Sequence, residues 1–98
     1  MWKVTPCQAL AAGKLLEVIY DGYVRAVEVH AVGETKDGNA IMRVWQVRGG
    51  SNSGERQGWK LLRLDEARGG QMLDERSQAP RPGYRRNDAA MASIACQA

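Results

Sequence analysis

The sequence predicts a mainly β protein whose antiparallel strands bend into a small barrel. Four runs rich in Val, Ile, Leu, Trp and Tyr, separated by turn signals, lead to this prediction: 15–20, 23–32, 40–47 and 59–64. The sharpest signal is Asp21-Gly22, which favours a two-residue type I′ hairpin because both turn residues need positive φ. Short strands at such regular spacing are typical of a closed or half-closed barrel.

The first element predicted along the chain is a short helix over residues 5–13. Thr5 is suited to the N-cap and Pro6 to the first helical position. Gly13 is suited to the left-handed residue that ends a helix.

The first hairpin has a predicted register, because the turn fixes which residues face each other. Tyr20 should lie opposite Tyr23, and the pairs Val18–Arg25 and Leu16–Val27 should follow. Neither face of this hairpin is purely apolar. The pattern alone therefore does not tell which face is the core. Asp37-Gly38 marks a second hairpin turn, before the third strand.

The segment 49–58 is predicted to be a long, mobile hairpin loop. It has three glycines in its first six residues and no apolar residue to anchor it. Trp45 and Trp59 flank the loop and are candidates for hairpin partners. Such a pair commonly stabilises a sheet by packing, and an exposed pair would instead offer a platform on which bases stack.

After residue 65 the pattern weakens. One helical turn over 65–68 should stop at Gly69-Gly70, and 71–75 is compatible with a short strand or helix. Residues 78–86 are predicted to form an extended loop, whereas the sequence leaves both strand and helix open for 91–96. The whole chain is expected to be a single domain, 1–98, with the helix, a barrel over 14–67 and a mostly irregular C-terminal extension over 68–98.

Charge and cysteine usage suggest where the protein works. The net charge is +3, and all of the excess lies in residues 76–98, because the first 75 residues hold ten basic and ten acidic side chains. No apolar run is long enough for a membrane helix, and the N-terminus lacks the apolar region of a secretory signal. We therefore expect a cytoplasmic protein in which Cys7 and Cys96 are free thiols.

Catalytic and metal chemistry find little support in the sequence. One histidine and two distant cysteines do not give a familiar metal site, and the glycine-rich loop lacks the ending of a phosphate-binding loop. We expect no enzyme, no metal and no cofactor. Glu28 and His30 should project the same way from one strand, and one interpretation is that the carboxylate raises the pKa of the histidine. The interpretation we prefer is a hydrogen-bonded histidine on the barrel surface.

The chain resembles the bacterial WYL domain over about residues 10–67. The resemblance is carried by Tyr20 before the turn, Arg25 and Glu28 on the second strand, and the closing run 62–65 (Leu-Arg-Leu-Asp). The name-giving Trp-Tyr-Leu is replaced by Ala-Ile-Met at 40–42, and residues 1–13 are too few for the helix-turn-helix domain that usually accompanies this family. The resemblance is nearest to stand-alone WYL-like proteins. It implies an SH3-like or Sm-like barrel that binds nucleic acid or another negatively charged ligand.

Candidate binding residues follow from the resemblance and from the charge pattern. Arginines on neighbouring strands offer planar donors to a phosphate or carboxylate, and the tail places Tyr beside Arg. The candidates are Tyr20, Arg25, His30, Arg43, Arg63, Arg81, Tyr84, Arg85 and Arg86. Internal ion pairs with nearby carboxylates are the alternative for the strand arginines. The expected partner is an anionic small ligand, such as a nucleotide, or single-stranded nucleic acid. The alternative function is a protein-interaction or self-association module, and a homodimer is expected.

Overall fold

A computed structural model describes residues 3–98 and shows a mainly β fold built on a six-stranded antiparallel sheet. The first two residues of the expected domain lie outside this description. The elements in chain order are α1 (Val4–Ala12), β1 (Lys14–Tyr20), β2 (Tyr23–Glu34), β3 (Ala40–Gly49), β4 (Gly58–Arg63), a 3-10 turn (Leu64–Glu66), β5 (Arg68–Arg76) and β6 (Ser93–Gln97). The predicted fold class, mainly β and antiparallel, is confirmed.

The strands lie in the order β4-β3-β2-β1-β5, and β6 pairs separately with β2. In this order β4 and β5 are the two ends of the sheet, so the sheet is not closed. Within the described residues there is one α-helix, α1, with nine residues. No described helix is long and apolar enough to cross a membrane.

The β1–β2 hairpin forms as predicted. Asp21 and Gly22 have φ angles of 52° and 77°, the positive values that a type I′ turn needs. The register is also the predicted one, from the pair Tyr20–Tyr23 to the pair Leu16–Val27. The turn sequence was therefore sufficient to place these two strands.

The helix α1 begins earlier than predicted. Lys3 occupies the N-cap position without a side-chain hydrogen bond, and Thr5 and Pro6 lie within the first turn. A proline is tolerated there because the first N–H groups of a helix have no partner within the helix. Gly13 ends the helix as predicted, with φ of 66° and its N–H directed at the carbonyls of Ala9 and Leu10.

Strand β2 is the centre of the sheet, because its twelve residues pair with three other strands. One edge pairs with β3, while the opposite edge pairs first with β1 and then, from Ala31 onward, with β6. The β2–β3 register shifts between Val29 and Ala31, which leaves His30 as an extra residue. Gly33 lets β6 approach closely, because a Cβ there would clash with the carbonyl oxygen of Ser93.

Buried residues lie on both faces of the sheet, because side chains alternate along each strand. The main core lies on the face that α1 covers, and it consists of Ala9, Leu16, Val18, Tyr20, Val27, Val29, Val32, Met42, Val44, Leu62, Leu64 and Ala67. A smaller cluster of Ala31, Ile41 and Met91 contacts Tyr84, Ala90 and Ile94. We call the face that carries this second cluster the outer face.

The C-terminal third has more regular structure than predicted. The helical turn predicted over 65–68 is a 3-10 turn over Leu64–Glu66, and the strand alternative for 71–75 is correct, within a nine-residue strand over 68–76. Gly69 and Gly70 both have positive φ, and the β1–β5 register shifts beside them, so they form a bulge within β5 instead of ending an element. The strand alternative is correct for the last segment, which becomes β6. Residues 77–92, the C-terminal segment from here on, contain no helix or strand, as predicted for 78–86.

The predicted free thiols are wrong: Cys7 and Cys96 form a disulfide, with an S–S distance of 2.08 Å and a Cα–Cα distance of 5.8 Å. Cys7 lies on α1 and Cys96 on β6, and both cysteines contact the main core. The prediction rested on the expected cytoplasmic location, which does not tell whether the two cysteines lie close together. They do so because β6 pairs with β2.

The loop between β3 and β4 covers residues 50–57, close to the predicted limits. Gly54 N–H donates to the Ser51 carbonyl, and Lys60 donates to the hydroxyls of Ser51 and Ser53 at 3.1 and 3.2 Å. The mobility expected for this loop stays a prediction.

Candidate anion-binding cleft

An aromatic cluster on the outer face positions the candidate site. Trp45 on β3 and Trp59 on β4 are direct partners, as predicted, and their rings meet edge to face with centroids 5.4 Å apart. Both tryptophans are half-buried. His30 meets Trp59 edge to face at 4.7 Å, and Tyr84 stacks on Trp59 at 6.3 Å. The cluster therefore joins three strands to the C-terminal segment.

The C-terminal segment is held on the outer face by a buried carboxylate. Glu28, only 1% exposed, accepts hydrogen bonds from the Gln78 N–H at 2.5 Å and from Arg81 Nε at 2.6 Å. The same guanidinium lies over the Trp45 ring, 5.1 Å from its centroid. A buried carboxylate with charge-assisted hydrogen bonds of this kind is satisfied within the protein. Arg81, a predicted binding residue, is thus engaged in an internal ion pair.

His30 is fully buried beneath this segment rather than on a surface. Its Nδ1 lies 3.0 Å from the Glu28 carbonyl oxygen, and its Nε2 accepts the Arg81 N–H at 3.0 Å. A ring that accepts at Nε2 and faces a carbonyl at Nδ1 is the neutral tautomer with the proton on Nδ1. Burial lowers the pKa of His30, and this outweighs the raising effect of Glu28. The interpretation in which Glu28 raises the pKa of His30 is therefore wrong, because desolvation dominates.

Beside this cluster an open cleft of about 550 Å³ lies between the sheet and the C-terminal segment. It is lined by Arg43, Trp59, Gly83, Tyr84, Arg85, Arg86, Asn87, Asp88 and Ala89. Four of the nine predicted binding residues meet here: Arg43, Tyr84, Arg85 and Arg86. Trp59 adds an aromatic wall to the cleft. Such an aromatic surface, on which bases stack, is one of the two alternatives stated for the tryptophan pair.

The cleft carries excess positive charge. Arg43 is neutralised by Asp88, with Nε and Oδ2 2.7 Å apart. Arg85 and Arg86 are exposed, and neither makes a hydrogen bond or ion pair with any part of the chain that the structure describes. Two guanidinium groups are thus free to bind an anion.

Tyr84 presents its ring to the cluster and has its hydroxyl buried. Burial raises the pKa of this hydroxyl, and the nearby charge of Arg86 opposes the rise. The backbone of Ala98 also lowers the pKa, yet its N–H already donates to the His30 carbonyl at 2.7 Å. Among described atoms the hydroxyl has no hydrogen-bond partner of good geometry. The contacts of Tyr84 with His30 and Trp59 are therefore made by its ring.

The remaining predicted residues are placed elsewhere. Arg25 is 3% exposed, donates to Gln46 Oε1 and the Tyr20 carbonyl, and lies over the Tyr20 and Tyr23 rings. This makes it a structural residue beneath the first hairpin, with Asp21 3.7 Å away. Of the two alternatives for the strand arginines, the structure therefore shows internal contacts for Arg25.

Tyr20 and Arg63 form a second internal group. Arg63 pairs with Asp65 at 2.7 Å, which raises the pKa of the arginine and lowers that of the carboxyl. The Tyr20 hydroxyl donates to Glu66 and accepts the Arg63 N–H, both at 3.2 Å. Arg25, Arg43 and Arg63 thus each have a different carboxylate partner, and they do not act as one anion site.

Sequence reasoning missed Asp88 and the anchoring role of Glu28. Asp88 is the single acid among the tail arginines, which is a signal that it forms an ion pair, although its partner is Arg43 on β3. Glu28 lies between Val27 and Val29, and a charge within an apolar strand is a signal of a buried pair. The described residues contain no group of three or more His, Cys, Asp or Glu able to hold a metal ion.

Comparisons with models of known protein families, with curated protein sequences and with solved structures find no match to this chain.

Proposed function

We propose that the protein is a non-enzymatic binding module of WYL type that binds an anionic ligand in the cleft. The ligand class is a nucleotide or single-stranded nucleic acid, and the role is regulatory. One observation carries this proposal: Arg85 and Arg86, exposed and without carboxylate partners, border a cleft whose wall is the stacked pair Trp59 and Tyr84.

The chemistry of these groups matches the ligand. Guanidinium groups donate planar hydrogen bonds to phosphate oxygens, and Arg43 remains available only at the cost of its bond to Asp88. An aromatic ring offers a base a stacking energy of about 1–3 kcal/mol, independent of base identity. A phosphate at the arginines and a base against the aromatic wall would use both features at once.

The SH3-like or Sm-like barrel is likewise a proposal. It is supported by the strongly paired meander of β1 to β4, by the long central strand and by the resemblance to WYL domains at Tyr20, Arg25 and Glu28. In this structure Arg25 and Glu28 are buried and bind protein groups. Their proposed role is therefore to hold the fold that presents the cleft.

Intrinsic fluorescence tests the proposal, since Trp59 lines the cleft. We expect a short oligothymidylate or a mononucleotide at 50 mM salt to quench tryptophan emission in a saturable manner. The double variant R85A/R86A should lose most of this response. Arg56→Ala removes an exposed arginine of the β3–β4 loop and should leave it unchanged. No binding of DNA, RNA or mononucleotides by the wild type would overturn the proposal.

Self-association is the second candidate function. Strands β4 and β5 end the sheet and leave hydrogen-bonding edges, while Ile19 and Val24, direct partners at the hairpin, are 41% and 55% exposed. A homodimer through these surfaces remains a proposal. Analytical ultracentrifugation at micromolar concentration would contradict it by showing only a 10.8 kDa species.

The cellular compartment in which the protein works is also part of the proposal. A cytoplasmic location was expected together with free thiols, but the Cys7–Cys96 disulfide favours an oxidising environment, since such bonds are rare in the cytosol. Counting thiols in protein isolated under denaturing, alkylating conditions distinguishes the two: no free thiol supports an oxidising compartment, and two support the cytoplasm.

A further inference from the structure

We propose that His30 is an acid-sensitive latch: protonation of its Nε2 releases the start of the C-terminal segment from the sheet and thereby loosens the cleft. The consequence for ligand binding rests on the function proposed above. The release itself is a property of the protein alone.

The latch consists of four hydrogen bonds to one short stretch of chain, two of them from the Arg81 guanidinium to Glu28. Gln78 N–H and the Arg81 guanidinium bind the Glu28 carboxylate, and Arg81 N–H binds His30 Nε2 at 3.0 Å. Only the last bond depends on a group that titrates near neutral pH. A proton taken from solvent onto Nε2 occupies the lone pair that accepts the Arg81 N–H, so both ring nitrogens become donors and that bond is lost.

The surroundings of the ring oppose protonation while the latch is closed. Trp59 and Tyr84 cover the imidazole, with centroids 4.7 and 5.1 Å away, and the ring is fully buried. The charged groups acting on it are Glu28, which favours the proton, and Arg81, which disfavours it. Glu28 already accepts bonds from Gln78 and Arg81, so it has little capacity left to stabilise an imidazolium. An imidazolium would therefore be buried, partly uncompensated and next to a guanidinium.

Movement at Arg81 reaches the cleft through a tight turn. Tyr84 N–H donates to the Arg81 carbonyl at 3.1 Å, and Gly83 and Tyr84 both line the cleft. When Arg81 leaves the sheet, the stacking of Tyr84 on Trp59 has no support from that side. Arg85 and Arg86 follow directly and lose their fixed position relative to the aromatic wall.

Proton linkage gives the sign and size of the effect. Burial holds the pKa of His30 below its usual value of 6.5 while the latch is closed. Once the ring is open to water, its pKa returns to about 6.5, so the open state binds a proton that the closed state does not. The latch is therefore most stable above pH 6.5 and weakens as the pH falls. Between pH 7.5 and 5.0 the opening equilibrium should increase up to about 30-fold.

Hydrogen exchange without ligand tests the latch directly. The opening equilibria of the Gln78 and Arg81 amides, corrected for the intrinsic pH dependence of exchange, should rise on acidification, while amides of the β1–β2 hairpin stay protected. His30 is the only histidine in the chain, so its ring signals in an NMR titration are unambiguous. They should show a neutral ring with the proton on Nδ1 at pH 7 and a midpoint below 6.5. Opening that does not depend on pH, or a charged ring at pH 7, would overturn the proposal.

Two variants separate the latch from general destabilisation. His30→Gln keeps one donor and one acceptor but does not titrate, so the pH dependence of Arg81 exchange should disappear. Glu28→Gln should increase opening at every pH and keep the dependence on His30. A persistent pH dependence in His30→Gln would contradict the latch.

Ligand titrations at pH 7.5 and 5.0 then connect the latch to the cleft. Mononucleotide affinity in the wild type should fall on acidification, and in His30→Gln it should change less. If exchange shows acid-induced opening but no nucleotide binds at pH 7.5, the proposed function fails and the latch stands. If nucleotide binds at pH 7.5 and Arg81 exchange is insensitive to pH, the latch fails and the proposed function stands.

Discussion

Arg43 on strand β3 and Asp88 in the C-terminal segment form a two-point ion pair. Nε lies 2.7 Å from Oδ2, and Nη2 lies 3.2 Å from Oδ1. Asp88 Oδ1 also accepts the Ala90 N–H at 3.0 Å. The pair fixes the far end of the cleft to the sheet and removes Arg43 from the free positive charge. Because of it, Arg85 and Arg86 are the cleft arginines left for a ligand.

Replacing Asp88 by Asn should lower the free energy of unfolding by about 1–2 kcal/mol, because a partly buried charge-assisted pair is lost. Arg43 holds the pKa of the Asp88 carboxyl below its usual 3.8. The stabilisation is therefore fully present above pH 3.8 and is lost as the pH falls through the lowered pKa. Urea unfolding at pH 7 and pH 3 measures both effects. Asp74→Asn, at an exposed site, is the matched control and should change little.

Reduction of the Cys7–Cys96 disulfide should destabilise the fold by about 2–5 kcal/mol, since the bond closes a loop over most of the chain. The separation of the two cysteines is 89 residues. Urea unfolding with and without dithiothreitol measures the difference. The double variant C7S/C96S should reproduce the reduced value without reductant and should not respond to it. Equal midpoints for oxidised and reduced protein would show that the bond does not constrain the unfolded chain.

The salt dependence of oligonucleotide binding should report on Arg85 and Arg86. Each phosphate that an arginine neutralises on a single strand contributes about −0.7 to the slope of log K against log salt concentration. Arg86→Ala should flatten the slope by about 0.7 for every sequence tested. Arg56→Ala should leave the slope as it is. A slope that is the same in both variants would place the phosphate contact elsewhere.

Truncation of Leu16 tests the main core. The side chain is fully buried on β1, and Leu16→Ala should cost about 2–5 kcal/mol because it leaves a cavity. Leu61→Ala removes the same atoms from a side chain that is 41% exposed, and its cost should be far smaller. Chemical denaturation of both variants gives the comparison, and similar costs would indicate that the core relaxes into the space.

The sequence predicted those parts of the fold that depend on neighbouring residues. Asp21-Gly22 determined a turn and with it a register, because side chains alternate along strands. Trp45 and Trp59 were placed as partners because one loop connects their strands. Gly13 ended the helix as expected, since the left-handed conformation favours glycine.

The remaining features depend on partners far away in the chain. Glu28 binds Gln78 and Arg81, which follow it by 50 and 53 residues, so the local signal of a buried charge does not show which groups bind it. Distant residues also explain why the interpretation of a raised pKa for His30 was wrong. The ring is buried by Tyr84 and Trp59 and not by residues of its own strand. The disulfide was missed because no local pattern shows that β6, which carries Cys96, pairs with β2. In the cleft, the charge pattern found Arg85 and Arg86, whereas no local pattern pairs Asp88 with Arg43, which precedes it by 45 residues.

The pairing of β2 with both neighbouring and distant strands also implies an order of assembly. Its contacts with β1 and β3 are made between consecutive strands, so closing them costs little chain entropy, whereas β6 must return across about 60 residues to reach the same strand. The meander should therefore form in the folding transition state, with high φ-values at Val18 and Val44 and low values at Ile94. The cleft is then the last feature to assemble, and its arginines acquire a fixed geometry only after the hydrophobic core exists.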